Sequence, residues 1–225
     1  MAERSRSAGT PLSPGRIVEL AIEHADAGGL EQVSMRKLAA ELSVTPMALY
    51  WHFANRDALL DAMAERVAGE VAYDDDPDAP WQQRLRAVLT AAVTVVQAHP
   101  WLGPLVRHRI VTAPDFLQAL EVLLDTTRTA GYGRQAAADV VDIAVDFVAA
   151  LAAGLKDVPP NEDPAASADQ LEMRRKLLDL PGSDYPRIRE TAAALTSPRP
   201  PAAYVELGID ILVKGIEAAA PARRR

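Results

Sequence analysis

The chain has 225 residues, a formal net charge of −7, 49% apolar and only 5% aromatic side chains, and no cysteine. This composition allows one large domain or a small domain joined to a larger one, and it excludes disulfides and thiolate metal sites. It also argues against indiscriminate nucleic-acid binding: even residues 1–70 hold seven Arg/Lys against ten Asp/Glu, so any DNA affinity must come from where the cations sit and must be salt-sensitive.

Alanine, leucine and valine dominate, which favours helices. No apolar signal core follows the N-terminal arginines. The longest apolar stretch, Val140 to Leu155, is broken by Asp142 and Asp146 and is too short to span a bilayer. The expectation is a soluble, cytoplasmic, all-α protein.

In chain order, residues 1–12 read as a flexible arm carrying Arg4 and Arg6. Ser13-Pro14 opens a first helix, since Ser caps well and Pro is tolerated at the first helical position, and Gly28-Gly29 stops it. Ser34 caps a second helix to about Leu42, Thr45-Pro46 starts a third, and Asn55 caps a fourth expected to last to Tyr73. The run Asp74 to Pro80 is a break that no helix crosses, and the domain boundary is placed there, closing a head of residues 13–73. A body of residues 81–219 then reads as helices at 81–98, 101–110, 114–130, 134–156, 169–180, 185–195 and 201–219, and 220–225 is a basic tail.

Two short helices joined by a very short turn have helix-turn-helix geometry, in which the second helix enters the major groove. Leu38, Ala39, Leu42, Val44, Leu49 and Phe53 are expected to form a small core. Met47, Ala48, Tyr50, Trp51 and His52 are left to be shared between packing and surface, a concentration of rings that needs a partner. Arg36 and Lys37 lie in the first turn of the second helix, where positive charge opposes the dipole unless a phosphate docks there. Arg56 sits as awkwardly at the start of the fourth. Singly, these cations read as solvated side chains; the helix-turn-helix spacing turns the set into a DNA-facing group.

The run from Met35-Arg36-Lys37-Leu38-Ala39 to Leu49-Tyr50-Trp51-His52-Phe53, followed by Asn55-Arg56-Asp57-Ala58-Leu59-Leu60, resembles the DNA-binding domain of the tetracycline-repressor (TetR) family. The resemblance implies a homodimer of all-α subunits whose fourth helix links the reading head to a ligand-binding body. It implies that Tyr50 touches DNA backbone and that Arg56 holds a phosphate. Residues 81–219 match the family's body more loosely, in helix count and in the closing run Tyr204 to Leu212. Two departures stand out. Ser43 occupies a turn position where glycine is usual, at a cost of about 1 kcal/mol if its φ is positive. The tip Thr45-Pro46-Met47-Ala48 is poor in hydrogen-bonding groups, so thymine-methyl contacts are expected, with Arg4 or Arg6 in the minor groove or, alternatively, an arm without function.

No nucleophile elbow, HExxH or phosphate-cradling loop is present, so no enzyme activity and no cofactor are expected. Gly131-Tyr132-Gly133 follows a helix rather than a strand and reads as a helix stop. His24, His52, His99 and His108 lie at no metal-ligand spacing, so no metal is expected. Asp139, Asp142 and Asp146 form one stripe of the long helix, either solvated or selecting a cationic effector. The alanine-rich helices at 134–156 and 201–219 suit a dimeric four-helix bundle, or else fill the monomer core. His99, Trp101, His108, Phe116, Phe147 and Met173 are the candidate pocket residues for a small-molecule effector, each with plain core packing as its alternative. The function expected is a repressor that binds palindromic operator DNA and is released by that effector. An activator or ligand-insensitive regulator on the same fold is the alternative, and a helical enzyme that retains the head is a third.

Overall fold

The computed structural model describes residues 12–106, 112–154, 167–197 and 200–222. Arg4, Arg6, His108 and the last residues of the basic tail lie outside them. Among the described residues there is no strand. The head consists of α1 (Pro14–Gly28), a single 3₁₀ turn (Leu30–Gln32), α2 (Met35–Glu41), α3 (Pro46–Tyr50) and α4 (Arg56–Ala68). The body consists of α5 (Trp81–Ala98), α6 (Leu102–Val106), α7 (Pro114–Thr129), α8 (Arg134–Ala153), α9 (Ala168–Leu178), α10 (Pro186–Leu195) and α11 (Pro201–Ala219).

Local chemistry sets most of these boundaries. The side chains of Ser13, Thr45 and Asn55 accept from the backbone N–H of Arg16, Ala48 and Ala58, closing donors that the first turn leaves open. Ser34 stands at the N-cap of α2 without a hydroxyl bond to the helix. Gly29, at φ 81°, closes α1 by donating to the Ala25 carbonyl. One helix is shorter than the periodicity suggests: α4 is capped at Gly69 rather than lasting to Tyr73, and the described part of α8 ends with its cap at Gly154. A capping box between Ser167 and Gln170 starts α9 at Ala168, one residue earlier than expected. The described part of α6 ends at Val106, short of 110.

The turn between α2 and α3 is a Schellman motif. Ser43 N–H donates to Ala40 C=O at 3.1 Å and Val44 N–H to Ala39 C=O at 2.9 Å, with Ser43 at φ 57°. That left-handed position favours glycine. Ser43→Gly is therefore expected to stabilise the chain by about 1 kcal/mol; urea unfolding that shows no gain would mean the hydroxyl offsets the strain.

The head core is built from Ile17, Ala21, Leu38, Leu49, Leu59, Met63 and Val67, each fully buried. Val44 and Leu42 are only partly buried against it. In the body, α5 lies between α7, α8 and α11, and its Leu85, Val88, Leu89 and Val93 are buried. Tyr132 donates its hydroxyl to the Ile216 carbonyl at 2.7 Å, tying the α7–α8 turn to α11. Gly131, at φ 110°, makes that turn possible. Arg84 pins the acidic linker: its Nε and Nη2 reach the Asp75 carboxylate at 2.7 and 3.0 Å, and its Nη1 reaches Asp125 at 2.6 Å. The hydrogen bond from Arg84 holds the Asp75 carboxyl below its ordinary value.

The α9–α10 pair stands apart. The two helices pack on each other, and none of their side chains belongs to the hydrophobic core cluster. Leu171, Met173, Leu178, Tyr185 and Leu195 are exposed.

Candidate functional site

α3 presents an apolar, aromatic surface. Met47, Tyr50 and Trp51 recur at i, i+3 and i+4 and are 66%, 46% and 85% exposed, while Leu49 on the opposite side is fully buried. Pro46 and His52 are also exposed, and Ala48 is half-buried. An indole this exposed contributes almost nothing to the fold. Thr45 is exposed too, but its hydroxyl oxygen is already used as the cap of α3. Arg36 and Lys37 project from the first turn of α2, and Lys37 Nζ donates to Gln32 Oε1 at 2.8 Å.

Arg56 is placed differently from a free phosphate ligand. Its Nε donates to the Val33 carbonyl at 3.0 Å and its Nη2 to the Leu30 carbonyl at 2.6 Å. A guanidinium has five N–H donors, so the staple leaves some for another acceptor. The sequence carries no signal for this bond, because the acceptors are main-chain oxygens of a 3₁₀ turn that no periodicity announces. The same staple fixes the start of α4 against the rest of the head.

The body encloses an apolar cavity of about 80 Å³. Its walls come from Val88, Leu89, Ala92, Val95 and Val96 of α5, from α6 through Leu102, Gly103 and Val106, and from α7 and α8. Ala68, the last residue of α4, and Val71 just beyond it complete the wall. Of the expected pocket residues that are described, only Phe116 lies there, and His108 is outside the described residues. Met173 is 52% exposed on α9, and Phe147 is half-buried beside the core. His99 and Trp101 turn away toward the head, where both meet Asp26. Apart from Phe116 the cavity is walled by alanine, valine, leucine and glycine, residues that read as ordinary core, so an inventory of rings and histidines finds little of it. Asp139 accepts from Gln135, and Asp142 is exposed, so this part of the acidic stripe faces solvent. Among the described residues no group of His, Asp and Glu could hold a metal, and no helix is long and apolar enough to cross a membrane.

A helix-turn-helix with an exposed aromatic reading helix, carried on an all-helical body with an apolar cavity, defines a DNA-binding regulator. Residues 17–63 match the family described as "Bacterial regulatory proteins, tetR family", and residues 74–220 match the "Tetracyclin repressor-like, C-terminal domain". The chain belongs to the TetR family of transcriptional regulators. It is 33% identical over 123 residues to an HTH-type transcriptional regulator of Saccharopolyspora erythraea, covering 55% of this chain and 52% of that one. It is 34% identical over 128 residues to the HTH-type transcriptional repressor DrrR1 of Streptomyces coeruleorubidus, covering 56% and 47%. The match thus spans about half the length of these curated relatives. Its fold is similar to that of the Streptomyces coelicolor TetR family protein ActR in complex with actinorhodin, with a TM-score of 0.79, 29% identity, and coverage of 95% of this chain and 100% of that one.

Proposed function

We propose that this chain is a cytoplasmic homodimeric repressor that binds palindromic operator DNA through its head and is released when a small apolar or amphipathic molecule enters the body cavity. One observation carries this reading. The helix that starts at Arg56 in the head ends in the cavity wall at Ala68, and Val71 continues that wall. At about 80 Å³ the cavity is well below the roughly 300–1,000 Å³ of ordinary ligand sites, so an occupant of usual size must displace its walls, α4 included. The structure of ActR with actinorhodin supports a small-molecule effector for this chain as well.

The reading residues are Thr45, Pro46, Met47, Ala48, Tyr50, Trp51 and His52, with Arg36, Lys37 and the uncommitted donors of Arg56 on phosphates. The dimer forms through α8 and α11, where Ile143, Leu207 and Ile211 are 60%, 58% and 60% exposed and offer apolar faces to a second copy. Selection of bound sequences from random DNA tests the whole reading. The expected product is an inverted repeat with half-sites about one helical turn, or slightly more, apart. Recovery of a direct repeat or a single half-site would refuse the symmetric dimer, and recovery of no preferred sequence would refuse the reading head.

A further inference from the structure

The joint between head and body contains a histidine held between two carboxylates from different elements. Asp26 in α1 accepts from Trp101 Nε1 at 2.7 Å, and His99 Nδ1 lies 2.9 and 3.1 Å from its two oxygens. On the other side of the ring, His99 Nε2 is 3.4 Å from Glu70 Oε2, just beyond α4. Glu70 Oε1 in turn accepts from Arg66 at 2.6 Å, and Arg66 Nε reaches Glu19 at 2.9 Å. The Trp101 ring meets the imidazole edge-on, with centroids 5.9 Å apart. The His99 side chain is only 14% exposed, so water does little to replace a lost partner.

We propose that Asp26, His99 and Glu70 form a proton-dependent latch that fixes the head on the body. A neutral imidazole that donates from Nδ1 to Asp26 turns an Nε2 lone pair toward the Glu70 carboxylate, whereas the imidazolium keeps that hydrogen bond and is attracted to both carboxylates. The charged groups facing the ring are Asp26 from α1 and Glu70 from the end of α4, with Arg66 and Glu19 behind Glu70; Trp101 adds a donor but no charge. The latch is therefore closed while the His99 ring carries its second proton and loosens when that proton is lost. His99 is a positioning residue. It is three residues before the start of α6, whose Leu102, Gly103 and Val106 wall the cavity, so a proton and a cavity occupant act on the same joint. In that respect the inference deepens the proposed function. It adds protons as a second input to head position.

The test needs neither the effector nor the operator. The chain has no natural cysteine, so Ala54→Cys in the head and Glu121→Cys on α7 give one donor–acceptor pair. Diluting labelled chains with unlabelled ones makes energy transfer report the head–body distance within one chain. At about pH 5.5 the distances should form one narrow population, and at about pH 8.5 a second, looser population should grow at its expense. His99→Gln keeps a donor but cannot ionise and should give one distribution at both pH values. Asp26→Asn keeps an acceptor for Trp101 but removes one carboxylate, and should shrink the response. A wild-type distribution that does not change with pH, or a change that survives His99→Gln, overturns the latch. Either result leaves the DNA-binding reading untouched, because operator selection tests that separately.

Discussion

Trp51→Ala is expected to abolish useful operator binding while leaving the melting temperature unchanged. The indole is 85% exposed, so the folded chain loses almost no packing when it is removed. Tryptophan is among the residues whose truncation most damages an interface, at about 2 kcal/mol or more each, which is about thirtyfold in Kd. A symmetric dimer loses it twice, for a combined weakening of about a thousandfold. The loss should be accompanied by little change in salt dependence, because no phosphate partner has been removed. Operator titration across a salt series checks both parts. If Trp51→Ala binds as the wild type does, the exposed rings of α3 serve something other than DNA.

Gly103→Val is expected to weaken operator binding without any effector. A Cβ at Gly103 would stand 2.9 Å from the Ala149 Cβ and 3.7 Å from Val96 Cγ1. The first contact is with a short side chain fixed to the α8 backbone, so α6 itself must shift. Overpacking of this kind costs about 1–3 kcal/mol. The displaced α6 lies against α4, so the strain is delivered to the helix that runs into the head. The variant should therefore imitate the occupied cavity, losing about tenfold or more in operator affinity for about 1.4 kcal/mol of bias. A lowered melting temperature with wild-type operator affinity would show that α6 does not transmit to the head.

The head was legible in the sequence because its signals are local. Ser13, Thr45 and Asn55 each announce a helix start within three residues of the N–H they close, and Ser43 shows its strain by standing where the turn demands a left-handed residue. Most of the body helices were legible for the same reason, with Pro114 and Pro201 at first positions, while the helix expected from 185 starts one residue later at Pro186. The cavity was not. A void lined by Ala92, Gly103, Ala119 and Ala149 has the residue types of a tightly packed core, and only the distances between helices distinguish the two. Nor did anything along the chain pair His99 with Asp26, 73 residues away, since an ion pair across two elements leaves no period to detect. The bonds from Arg56 to Leu30 and Val33 escaped notice because main-chain oxygens have no letter in a sequence.

The separateness of α9 and α10 has a consequence for how this chain tolerates change. Their side chains are absent from the core cluster, and Ala192 is the buried residue between them, so most of their positions escape the volume constraint that fixes the buried residues of α5, α7 and α8. The pair is expected to open at a lower free energy than the one that unfolds the body, and earlier amide hydrogen exchange in α9 and α10 checks it. Between Leu178 and Pro186 the chain is exposed except at Leu180, whose carbonyl accepts from Arg189 at 2.6 Å, and it joins these two helices. Insertions between Ser183 and Tyr185 are expected to leave operator affinity as it is, which operator titration checks. Lineages can diversify this hairpin while the apparatus on either side of it stays fixed.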